Sequence, residues 1–335
     1  MERKENQKNI EKAIVGAIAF FDMFGYPLTD FEIWKFIAVE CGLSDAREVL
    51  SKVTETKSPI GDLVSCKNGF YFLKGRSEII ETRLKRYVYA DRKFKRAMRV
   101  AKVFKLIPWV KMIAVSNVIG AHNLRDGSDI DLFIITEKER IWLTRFFCAA
   151  IAQALGLRPK KGDTRDKICL NFYVSEEAMN ISELMLKENR EGAKPLRFAE
   201  ANRSGLAPFQ RDIYFVYWLA NLVPIYEIDD AYKKFIHANG WIKSCLPNWR
   251  PVKTGGNRHV RGKESKFNLL NLLNNFENKF KKLQLNLMPA GLKELTGKDT
   301  RVVVNDKVLK LHVNDRRGEY RNKFFNKMDN LKLRR

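Results

Sequence analysis

Apolar positions recur at helical spacing near the start of the chain. Ile10, Ala13, Ile14, Ala17, Ile18 and Phe21 form one buried face. Gly25-Tyr26-Pro27 ends that helix, because proline has no N–H to continue the backbone ladder. A second helix carries Ile33, Phe36 and Ile37 on one side and takes its cap from Thr29 or Asp30. A third starts at Ser44 and runs to Glu55. Asp62–Cys66 and Phe70–Leu73 flank Lys67-Asn68-Gly69, the signal of a tight hairpin. Residues 83–107 set Val100, Val103, Phe104 and Ile107 against a dense run of Lys and Arg, and Pro108 stops this basic helix.

The pattern then changes to strands. Val110–Ser116 and Asp129–Thr136 read as two strands, 138–156 as an apolar helix and Lys167–Val174 as a third strand. That order predicts a mixed sheet backed by helices. Further on, a helix over 208–223 should stop at Pro224, and another opens at Asp229 or Asp230 and runs to Cys245. Leu246–Lys263 holds Pro247, Pro251, Gly255 and Gly256 and reads as a connector. Leu269, Leu273, Phe276, Phe280, Leu283 and Leu287 make an a/d seam suited to packing on a neighbouring helix. Arg301–Val313 alternates around Asn305-Asp306 as a small hairpin.

Composition adds a partner class. Of 335 residues, 62 are Lys or Arg and 39 Asp or Glu, a net charge of +23 that favours polyanionic partners. From residue 251 onward there are 21 Lys and Arg against 8 Asp and Glu, which places 13 of the excess charges in the last quarter. Cys41, Cys66, Cys148, Cys169 and Cys245 form no CxxC pair, so neither a disulfide framework nor a zinc site is expected and a reducing cytoplasm fits. The longest apolar runs are too short to cross a bilayer, and no membrane partner is expected.

The candidate chemistry lies in Val115–Ile135. Side chains alternate along a strand, so Asp129 and Asp131 share a side while Ile130, Leu132 and Ile134 enter a core. Two carboxylates about 7 Å apart repel each other unless a cation lies between them. A hard divalent cation such as Mg²⁺ suits oxygen ligands and keeps positions open for phosphate.

On these residues the chain resembles the nucleotidyltransferase superfamily with a DNA polymerase β-like palm. In that family a Gly-Ser pair follows a strand, an Asp-x-Asp opens the next strand, and a third carboxylate lies on a later one. Asn117-Val118 stands at the Gly-Ser place, where Val118 brings no hydroxyl, and Ser128 precedes the Asp-x-Asp. The resemblance implies that Asp129 and Asp131 are catalytic metal ligands for Mg²⁺, singly or as a two-metal pair. It places the third ligand at Asn171, in phase with Cys169 and Tyr173, and assigns Ser116, Asn117, Val118, Gly120 and Ser128 to the nucleoside triphosphate substrate. Lys279, Lys282 or Arg301 would balance the triphosphate charge.

The three helices and hairpin at the start resemble a winged helix. The expected fold is therefore α+β: a winged-helix-like domain over 1–82, a mixed-sheet palm over 83–180, a helical domain over 181–290, and a basic tail with a small hairpin over 291–335. The expected activity is metal-dependent transfer of a nucleotide from an NTP to an acceptor. The alternative is a catalytically degenerate palm acting as a nucleic-acid-binding or protein-interaction module, which would make nucleic acid a partner.

Overall fold

The computed structural model describes residues 2–52, 60–117, 123–186, 212–253, 259–262, 273 and 275–331. The chain opens with α1 (Glu2–Asp22), α2 (Asp30–Phe36) and α3 (Leu43–Ser51), followed by the hairpin β1 (Val64–Lys67) and β2 (Phe70–Leu73). Thr29 caps α2 in a closed capping box: its hydroxyl accepts from the Glu32 N–H, and its own N–H donates to the Glu32 carboxylate at 2.9 Å. In the hairpin turn Asn68 and Gly69 have φ of 54° and 75°, the left-handed pair a two-residue turn needs. α3 begins at Leu43 rather than at Ser44, because the Asp45 carboxylate accepts from the Gly42 N–H. The stretch expected to prolong that helix to Glu55 lies outside the described residues.

The basic helix is α4 (Ile79–Phe104). Its buried Arg83 donates to Glu32 at 2.7 Å and to the Tyr87 hydroxyl, and stacks over the Tyr26 ring, which locks α4 to the N-terminal helices. Next come β3 (Val110–Val115), β4 (Ile130–Thr136), α5 (Ile141–Ala154) and β5 (Ile168–Ser175). Then follow α6 (Ile213–Ala220), β6 (Val223–Glu227), α7 (Ala231–Ala238), α8 (Ile242–Cys245) and β7 (Val260–Arg261). The last elements are α9 (Glu277–Asn286), α10 (Ala290–Leu295), β8 (Val302–Val304), β9 (Val308–Leu311) and α11 (Arg317–Asn330).

The fold is α+β. Seven strands form one mixed sheet in the order β7-β6-β3-β4-β5-β9-β8, with β4 and β5 parallel and β3 antiparallel to β4. Helices cover both faces. On one, Ile130, Leu132 and Ile134 of β4 pack with Phe94, Val100 and Phe104 of α4 and with Ile141, Trp142 and Cys148 of α5. On the other, Phe133 and Ile135 join a core that includes Phe20 and Phe21 of α1, Tyr217 of α6 and Phe324 of α11. That second core is continuous from the N-terminal helices to the C-terminal one.

Two expectations change. The apolar stretch ending at Pro224 is a shorter helix, α6, and Pro224 lies inside β6, opposite Ala114 where the β3–β6 register shifts. A bulge tolerates a residue without an N–H, so proline does not exclude a strand there. The a/d seam does not form one packed face: α9 packs on α5 through Phe280 against Phe146 and Phe147, while Phe276, Leu283 and Leu287 are exposed. Glu277 also caps α5 from outside, its carboxylate accepting from the Trp142 and Leu143 N–H groups at 2.7 and 3.0 Å. Leu269 lies outside the described residues.

Candidate functional site

The carboxylates of Asp129 and Asp131 lie on one side of β4 and meet the Cys169 thiol from β5, with one ligand atom from each residue all within 4.8 Å of one another. This follows from strand alternation on β4 and from the parallel pairing that sets Cys169 beside Asp131. The expected phase on β5 does not hold. Asp131 pairs with Cys169 but Phe133 pairs with Phe172, so β5 carries one extra residue. Cys169 therefore faces the carboxylates while Tyr173 enters the opposite core. Asn171 lies within that bulge, and the side chain in register with Asp131 belongs to Cys169.

Neighbouring segments hold the pair in place. The Ser116 N–H and hydroxyl both donate to the Asp131 carbonyl, at 2.9 and 3.2 Å, and Asn117 Nδ2 donates to the Asp129 carbonyl at 2.9 Å. Ser116 and Asn117 thus brace the backbone that presents the carboxylates. Below the loop, fully buried Lys93 of α4 donates to the Ser128 carbonyl and pairs with Asp166 at 2.8 Å. Arg92 pairs with Asp166 and Asp126, and Arg165 also reaches Asp126. The Ser128 hydroxyl is spent on the Arg125 carbonyl at 3.0 Å. Val118 and Gly120 lie outside the described residues.

Burial and mutual repulsion disfavour the charged form of the pair, and the Lys93 charge offsets this in part at Asp129. Burial raises the Asp129 carboxyl, and burial together with the Asp129 charge pushes Asp131 up to about 7. Burial and both aspartates raise the Cys169 thiol well above its ordinary value. Neither aspartate has an ion-pair partner among the described residues. Asn117 adds a buried Oδ1 without a hydrogen-bond donor. Two carboxylates and a thiol that converge without an ion-paired cation among the described residues are a donor set that could hold a divalent metal.

A cavity of about 270 Å³ opens beside Asp131, Ser116 and Asn117. Its far wall comes from the C-terminal segment: Lys310 of β9, then His312, and Arg316, Arg317 and Tyr320 at the start of α11. Aromatic rings of α6 complete it, with Tyr214 stacked on Tyr320 at 5.2 Å and Trp218 stacked on Phe172 of β5. Lys310 and Arg317 share Asp315 at 3.0 and 2.8 Å, Arg317 reaches Asp212 at 2.7 Å, and Arg316 pairs with Glu319. Three cations thus face three carboxylates. Burial lowers Lys310 to about 8 and His312 to about 4.

Sequence reasoning located the aspartates but missed this wall. Lys279 lies over the Phe276 ring, Arg301 pairs with Asp299, and neither they nor Lys282 line the cavity. The available signal was Asp315-Arg316-Arg317 directly after the last hairpin, a charged cluster opening a helix. No protein-family model matches the chain, and no curated protein or solved structure was found to be similar to it.

Proposed function

We propose that the protein is a metal-dependent nucleotidyltransferase. The observation that carries this reading is the convergence of Asp129 and Asp131 on one sheet face beside a cavity walled by cations and aromatic rings. It agrees with the palm resemblance of the Asp-x-Asp strand, which implies Mg²⁺ and an NTP. Asp129 and Asp131 would hold the metal, which when bound neutralises phosphate charge and polarises the phosphorus under attack.

The chain's own residues do the positioning. Ser116 and Asn117 fix the backbone under the carboxylates, so the ligands do not reorganise during reaction. Tyr214, Trp218 and Tyr320 offer flat surfaces for a base. The acceptor hydroxyl attacks the α-phosphorus, the bond to the β-phosphate oxygen breaks, pyrophosphate leaves, and the hydroxyl proton passes to solvent. Much of the rate comes from orientation, as expected for phosphoryl chemistry.

Calorimetry of the four triphosphates, with and without Mg²⁺ or Mn²⁺, tests the assignment. At least one nucleotide should bind only with metal, and Asp129→Asn should weaken it about tenfold or more, the scale of losing one charge-assisted contact. The far-ultraviolet circular dichroism of the variant should match that of the parent. Metal-independent binding, or binding unaltered in Asp129→Asn, refutes the assignment.

A further inference from the structure

We infer that Cys169 is the third metal ligand and that the site selects a thiol-accepting dication of the zinc class over Mg²⁺. This rests on the reading of Asp129 and Asp131 as metal ligands and refines which ion they hold. The thiol lies within 4.8 Å of both carboxylates, on the strand paired with theirs. Cys169 is only 8% exposed, so the strand pairing and the packing around it fix its side chain toward the pair. A buried cysteine elsewhere in a core is a small apolar residue. Here the thiol abuts two carboxylates that form no ion pair among the described residues.

The donor set decides the ion. Mg²⁺ demands oxygen ligands in a near-octahedral shell and gains little from sulfur. Thiolate with carboxylate suits Zn²⁺ and its spectroscopic substitute Co²⁺. Two aspartates and one cysteine give three protein ligands, the number that in catalytic zinc sites leaves a position for substrate or water. The cavity beside Asp131 is where such a position would open. Asn117, whose Nδ2 donates to the Asp129 carbonyl, also has a buried Oδ1 without a hydrogen-bond partner among the described residues. Pairing with Asp131 sets the thiol on the carboxylate side, and the β-bulge between Cys169 and Phe172 then returns Phe172 and Tyr173 to their cores.

Cobalt titration of the full chain tests the inference with a readout independent of catalysis. One equivalent of Co²⁺ should give a sulfur-to-cobalt charge-transfer band in the near ultraviolet, which Zn²⁺ abolishes and excess Mg²⁺ does not. Losing a second-shell partner alone costs about 10–100-fold in metal affinity, so Cys169→Ser should remove the band and weaken Co²⁺ by about 100-fold. Cys169→Asp restores an all-oxygen set and should tighten Mg²⁺ by about tenfold or more. Circular dichroism checks that both variants fold. A missing band in the parent, a band retained in Cys169→Ser, or Mg²⁺ displacing Co²⁺ with equal affinity overturns the inference. If metal-dependent nucleotide binding persists without any sulfur band, the nucleotidyltransferase reading survives and Cys169 is packing alone. If both are lost, the site reading falls as well.

Discussion

At the level of single residues, the legible and the hidden parts of the site differ by one inserted position. Asp129 and Asp131 could be placed because strand alternation has a period of two and β4 begins at Ile130, directly after Asp129. Asn171 could not be placed, because the extra residue in β5 reverses the parity between Cys169 and Tyr173. Leu170-Asn171 contains no glycine or proline to mark the bulge. His312 shows a second effect invisible in sequence. It lies in the wall of the cavity against Phe172, and burial, aided by the charges of Lys310 and Arg317 and opposed by Asp315, keeps it neutral to about pH 4. Unfolded, it would bind a proton near pH 6.5. Between those values the unfolded state holds the extra proton, so this group's contribution to stability is present above pH 6.5 and is lost as pH falls toward 4. The full loss is on the order of 3 kcal/mol. Urea midpoints at pH 7 and pH 5 should separate more for the parent than for His312→Gln, and equal separation would show that His312 does not resist protonation.

At the level of elements, local chemistry made the N-terminal helices and hairpin readable. Thr29, Glu32 and Asn68-Gly69 act within a few residues of themselves, so their signals survive any tertiary context. β6 was not readable, since its Pro224 looks like a stop until the bulge against β3 is known. α4 shows how composition can hide a division of labour. Lys85, Lys95, Arg99, Lys102 and Lys105 are exposed, as a solvated basic face should be. Lys93 on the same helix is fully buried and supports the backbone that presents Asp129. Removing one partner of a buried ion pair leaves the other charge stranded, at a cost of about 3–5 kcal/mol. Arg92 still reaches Asp166, so Lys93→Met should fall at the lower end, about 3 kcal/mol by urea denaturation. The same substitution should weaken metal-dependent nucleotide binding, because the Ser128 carbonyl loses its anchor. An unchanged midpoint would mean that Lys93 contributes no net stability.

At the level of the whole molecule, the C-terminal quarter completes both the core and the site. β9 pairs with β5, the strand bearing Cys169, and α11 crosses to α1. Arg317 ties that helix to Asp212 at the start of α6 and to the Leu184 carbonyl, while Lys327 and Arg76 both bind the buried Asp22 at the end of α1. The basic excess of this quarter is therefore not all surface charge, because Lys310 and Arg317 are buried in paired form beside the cavity. Phe324 of α11 is buried against Phe20 of α1, in the core that also holds Phe133 of β4. Truncating a buried phenylalanine typically costs about 3–5 kcal/mol, and here the loss falls on a core shared by the first helix, the sheet and the last helix. Phe324→Ala should therefore lower the denaturation midpoint of the entire molecule in one step. Tryptophan fluorescence, which samples Trp34 in α2 and Trp142 in α5, should move together with far-ultraviolet circular dichroism, as a single cooperative transition requires. Two separated transitions, with the N-terminal helices melting first, would show that the shared core does not couple them. The cavity beside Asp131 would then depend on the C-terminal segment docking to the sheet alone.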